Sequence, residues 1–217
     1  MLLQLIRKEF LLEFRQKSTL GGVLVYVIGT IFVTALCFKG KQLDKATWNA
    51  LFWVITLFTS VTISVKSFLK ETGGQGLYNY LHYSPQQFII AKILYNMVFM
   101  LVLSLVTFFF YAFFITNQVD NIVLFLIVLV LASTGLAGIL SLMSAIAAKA
   151  NGNFALMSIL SFPVIMPLIL VVIRLSKQAV DGIEWAGVGF SFISILVALN
   201  VLTVALSFLL FPYLWRD

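Results

Sequence analysis

An all-α membrane protein of six transmembrane helices, with an N-terminal amphipathic interfacial helix, is the fold class this sequence predicts. Three observations predict it. The 217 residues are 62% hydrophobic and only 10% charged. A soluble domain carries roughly 25% charged residues, so most of this chain has lipid as its solvent. Six apolar stretches, at about 18–38, 47–65, 93–115, 122–148, 154–173 and 188–214, can each cross a hydrocarbon core of about 30 Å at a rise of about 1.5 Å per residue. No polar/apolar alternation runs through them, which excludes a membrane barrel, and an isolated strand would leave its backbone unsatisfied in lipid. The whole chain, 1–217, reads as one membrane domain.

The first seventeen residues, "MLLQLIRKEFLLEFRQK", are expected to lie along the headgroups. Leu3, Ile6, Phe10 and Phe14 share one helical face, while Gln4, Lys8 and Arg15 share the opposite face, interrupted by Leu11. That division suits a helix with its basic side wet. The charges are spread among the apolar residues and no A-x-A site follows, so no cleavable signal peptide is expected.

Within the spans, no Asp, Glu, Lys, Arg or His falls at the middle. Carriers driven by protons or ions need ionisable groups there, so their absence argues against a secondary transporter. Asn96 and Asn200 are the strongest polar groups in the spans and are expected to bond across helices. The second span carries Thr56, Ser60 and Ser64 on one stripe; the fourth carries Ser133, Ala137, Ser141 and Ala145 at the same four-residue spacing. Small residues so spaced let helices approach closely. The fourth-span set reads as helix packing. The Thr56 stripe reads either as packing or as the lining of a translocation path. The fifth span places Pro163 and Pro167 four apart; each removes a backbone donor, which predicts a kinked, shaped helix inside the bundle. Cys37 is the one cysteine, so no disulfide is possible, and it reads as a small buried hydrophobe.

Charge near the span ends gives an orientation. With the N-terminus inside, the inner side carries Arg7, Lys8, Arg15, Lys17, Lys66, Lys70, Lys92, Lys149 and Arg216. The outer side carries Lys39, Lys41, Lys45, Arg174 and Lys177. The loop 116–121 has no Lys or Arg and fits the outside; the loop 174–187, with Ile183 and Trp185 among Asp181 and Glu184, suits the outer interface. Both termini are therefore placed in the cytoplasm. A net charge of +6 fits cytoplasmic loops and lipid headgroups, and there is no basic stripe with interleaved aromatics, so no nucleic acid is expected.

Much chemistry is missing. There is no G-x-x-x-x-G-K-[ST] loop to hold ATP phosphates, no HExxH, no GxSxG and no metal-spaced Cys/His cluster. His82, the one histidine, has no nearby second ligand and reads as an interfacial or solvated residue. The chain is not expected to be an enzyme or to bind a cofactor directly.

One segment resists this bland reading. Residues 66–92 leave the membrane on the inner side, and 70–92 read "KETGGQGLYNYLHYSPQQFIIAK". Leu77, Tyr80, Leu81 and Ser84 fall on one helical face, Gly73, Gly74 and Gly76 give a flexible approach, and Pro85 stops or restarts the turn. An aromatic-faced cytoplasmic helix suits a partner's groove; resting on the headgroups is the other reading.

The amphipathic "KEFLLEFRQKS", the six spans, the loop "GLYNYLHYSPQQFIIAK" and the fifth-span "SILSFPVIMPLIL" together resemble the haem exporter protein B family. These are the permease subunits of the ABC-type complex for cytochrome c maturation. Pro163 and Pro167 match that family's L-P-x-x-x-P-L stretch, and Ser84-Pro85 with Ala91-Lys92 match the end of its loop. Where the family often reads D-G-[ST]-L-E-x-L, this chain has Gly76-Leu77-Tyr78-Asn79. The resemblance implies an exporter-type ABC permease in the bacterial inner membrane. It implies that Glu71, Gly76, Leu77, Tyr80, Leu81, Ser84 and Pro85 dock on a separate ATPase subunit that holds the ATP. It also implies a second copy of the chain, a haem-handling membrane protein and a small single-span protein as partners, with haem as possible cargo or as the load of a periplasmic chaperone. The alternatives are an exporter of the same architecture for a lipid, drug or polysaccharide, and a membrane assembly scaffold that transports nothing.

Overall fold

The computed structural model describes residues 17–38, 43–69, 85–149, 154–183 and 190–216. Among them the chain forms six helices and no strand: α1 Lys17–Cys37, α2 Lys45–Leu69, α3 Pro85–Ile115, α4 Ile122–Lys149, α5 Phe154–Val180 and α6 Phe190–Arg216. Five of them, α2 to α6, are long and apolar enough to cross a membrane; α1 contributes a shorter apolar stretch, Gly21–Cys37. The expected interfacial helix 1–17 lies outside the described residues except for Lys17, which opens α1.

The fourth span is the hub. α4 packs against α2, α3, α5 and α6, and most of its side chains are buried. α1 stands at the edge, on α2 and α3. Among its described side chains, Val23, Val27 and Ile31, one residue per turn, are the buried ones. Cys37 is consequently exposed at its end, which corrects the expectation of a buried hydrophobe: a helix that packs along one edge leaves its other faces uncovered.

Short polar residues set the helix ends. Asp44 caps α2, its carboxylate accepting the Thr47 amide at 3.1 Å and the Thr47 hydroxyl. These two bonds hold the Asp44 carboxyl below the usual carboxylate range, the hydroxyl contributing most. Asn121 caps α4 by accepting the Leu124 amide at 3.1 Å. Proline opens α3, where its missing N–H would be unpaired in any case. Gly182, in the left-handed region at φ 73°, closes α5; its amide bonds Ala179 O and the Ile183 amide bonds Gln178 O.

These ends differ from the sequence boundaries in three places. α5 runs seven residues beyond the expected 173, so Arg174 and Lys177, placed in the loop 174–187, are helical. α2 extends to Leu69 and α3 begins at Pro85, so both flanks of the expected loop 66–92 are helical. Lys92 thereby stands within α3 and is buried, at 2% exposure. Polarity marks where lipid ends, but at α5 and α3 a glycine and a proline decide where the backbone stops or starts coiling.

Candidate functional site

The bundle turns its polar side chains inward. On α2, Thr56, Ser60 and Ser64 are all buried. The Thr56 hydroxyl donates to Phe52 O at 2.8 Å and the Ser60 hydroxyl to Thr56 O at 2.8 Å, so both are satisfied within their own helix. The Ser64 hydroxyl has no hydrogen-bond partner among the described residues. Pro163 and Pro167 are not brought to this stripe. α5 stays helical through both, and both stand on its exposed face. The inward face of α5 is made instead by Met157, Ser161, Ile165, Leu168, Val172 and Ser176.

On α4, Ser133, Ala137, Ser141 and Ala145 are all buried. Ser141 accepts the Asn96 amide of α3 at 2.7 Å. Ala145 joins a small apolar cluster with Ile89 and Ile93 of α3. Asn200 of α6 donates to Leu131 O at 3.0 Å and accepts the Thr134 hydroxyl at 3.0 Å. Both intramembrane asparagines thus bind across helices to α4.

Two features were missed by sequence reasoning. The first is the Gly135/Gly138 pair. A Cβ at Gly135 would stand 2.3 Å from Leu168 Cδ1 of α5 and 3.3 Å from the Asn200 amide of α6; one at Gly138 would stand 3.2 Å from Thr203 Oγ1. Their signal is a G-x-x-G inside an apolar span, overlooked beside the serine–alanine stripe.

The second is an aromatic cluster where α2 begins and α3 ends. Trp48, Phe52 and Trp53 of α2 meet Phe108 and Tyr111 of α3 and Phe125 of α4, with ring centroids 4.9–6.3 Å apart. Every polar handle in it is used. Tyr111 donates to Trp48 O at 2.9 Å, the Trp48 indole to Thr116 O at 3.0 Å, and the Trp53 indole to Ser176 Oγ at 2.8 Å. Asn49 donates to Ile173 O at 3.3 Å. Around this plug Lys45 pairs with Asp120 at 2.6 Å, and the Asn121 side chain donates to Ile183 O at 3.2 Å. One end of the bundle is therefore tied together across α2, α3, α4 and α5. Its signal, W-N-x-x-F-W at the head of a span, was readable only as an interfacial aromatic belt.

Of the expected docking set, Pro85 opens α3; Glu71, Gly76, Leu77, Tyr80, Leu81 and Ser84 lie outside the described residues, as does His82. No cluster of metal-ligating side chains occurs among the described residues.

An all-helical bundle with long apolar helices, an inward polar lining and close-packed small residues defines an all-α membrane permease. The family model for CcmB protein matches residues 1–213, nearly the whole chain. The chain belongs to the CcmB family, the haem exporter protein B family that its motifs resemble. It is accordingly a multi-pass membrane component of the haem-export ABC system for cytochrome c maturation. Comparison with curated proteins gives no significant match.

Proposed function

We propose that this chain couples ATP hydrolysis on a separate ATPase subunit to haem export, or to release of a haem-loaded periplasmic chaperone. In this reading both termini are cytoplasmic and two copies of the chain pair. Each copy seats its 66–92 segment on an ATPase through Glu71, Gly76, Leu77, Tyr80, Leu81, Ser84 and Pro85. The haem-handling membrane protein and the small single-span protein complete the complex.

The observation that carries the reading is the length of α3. Its 31 residues extend about 46 Å, against about 30 Å of hydrocarbon, and the common tilt of about 20° shortens that reach by only a few ångströms. α3 therefore outreaches the lipid core by more than about 10 Å. Its Pro85 end, with Gln86 and Gln87, is the polar one. A rigid helix rooted against α4 by Asn96 is a suitable lever for a segment that must transmit force.

The test replaces Leu77, Tyr80 and Leu81 with Asp, singly and together, in the intact complex. Membrane insertion should be unchanged. Copurification of the ATPase, ATP turnover by the complex and cytochrome c output should fall together. If the triple variant assembles and matures cytochrome c normally, the docking reading is wrong; if no ATPase copurifies even with the native chain, the scaffold alternative replaces it.

A further inference from the structure

The exposed stripe of α5 changes character near its end. Phe162, Met166 and Leu170 continue it as an apolar surface; Arg174 and Lys177 then follow on the same face, both exposed. Arg174 precedes the helix end at Val180 by about 9 Å of rise. It lies inside the apolar stretch Leu156–Val180, and a cationic side chain so near the end of a span reaches toward the headgroups.

Arg174 is also held in place. Its guanidinium carbon stands 5.9 Å from the centre of the Phe192 ring of α6. Phe192 is itself packed on the core, so it is a fixed surface. A guanidinium within about 6 Å of a ring centre is attracted to it, and its several N–H donors can still grip two oxygens of one phosphate. Among the described residues neither Arg174 nor Lys177 forms an ion pair; the pair found there is Lys45–Asp120.

We propose that Arg174, Lys177 and Phe192 form a headgroup site for an anionic phospholipid, whose acyl chains lie along Phe162, Met166 and Leu170. Two cations above an apolar stripe match the two halves of such a lipid, charge to phosphate and methylene to side chain. The stripe, rather than the cations alone, selects a lipid over a free phosphate.

The full chain in mild detergent is exposed to equal amounts of phosphatidylglycerol and phosphatidylcholine, and the retained lipid is counted by native mass spectrometry. Thermal unfolding is followed in parallel. The native chain should retain phosphatidylglycerol preferentially and melt higher with it, whereas inorganic phosphate should give no shift. Changing Arg174→Gln with Lys177→Gln should cut the preference about thirtyfold, since each cation near an anionic surface gives about a fivefold attraction. Phe192→Leu, which keeps both charges, should weaken it partially and supplies the answer if the double variant does not fold. Lys45→Gln should leave it intact. Equal retention of both lipids by the native chain overturns the proposal, as does a preference that survives in a folded double variant. A lipid-free dimer that the double change dissociates would assign this face to a second copy and overturn it as well.

Discussion

At Gly135, a hydrogen in place of a methyl decides how closely three helices meet. The absent Cβ would touch Leu168 of α5 and the Asn200 amide of α6 at once. The Leu168 methyl can turn aside, but its side chain is fully buried, so the displacement passes into the core. Gly135→Ala should therefore destabilise the chain by about 1–3 kcal/mol, the usual cost of overpacking. Gly29→Ala on α1 should do the reverse: nothing lies within 4 Å of its Cβ position, and alanine is the better helix former by up to about 1 kcal/mol. Thermal unfolding in detergent reads both; the same sign for the two variants would show that close approach at Gly135 is not what the glycine provides. Asn96 and Asn200 were legible as cross-helix residues because an amide in lipid has few other options. Gly135 was not, because a glycine in a span looks the same whether it faces a neighbour or lipid.

At the scale of elements, α2 is the helix whose end is most fully determined by others. Trp48 is buried against Phe52, Tyr111 and Phe125, and both its indole and its backbone carbonyl are hydrogen-bonded to the α3 end. Truncation by Trp48→Ala should cost about 3–5 kcal/mol through the cavity left behind. Tyr111→Phe keeps the ring and removes one hydrogen bond, so it should cost about 0.5–1.5 kcal/mol. Denaturant unfolding should rank the two in that order, and near-equal effects would mean that the hydroxyl, not the packed ring surface, holds the helix end. The existence and type of all six helices were readable from length and apolarity. Their limits were not, as Arg174 and Lys92 show: each is charged and was therefore placed in a loop, yet Arg174 lies within a helix that Gly182 closes beyond it, and Lys92 within one that Pro85 opens before it.

For the whole molecule, the orientation can be read through Cys37, exposed at the α1 end that leads to Lys45 and the Asp120 rim. If both termini are cytoplasmic, a membrane-impermeant maleimide should label Cys37 in spheroplasts; labelling confined to inverted vesicles would reverse the topology and with it the docking side. The sequence by itself determined the class: an all-helical membrane chain, its family, and the absence of an ATP-holding loop of its own, because composition, span length and short motifs are local properties. Only the tertiary structure decided that α4 is the hub, that the proline face of α5 points away from the Thr56 stripe, and that an aromatic plug ties one end of the bundle. α4 and α6 are almost equally apolar, yet 61% of the α4 window and 17% of the α6 window are buried. Lipid tails are as apolar as a leucine core, so in a membrane the hydrophobic effect does not separate inside from outside, and that choice is left to small residues, hydrogen bonds and shape.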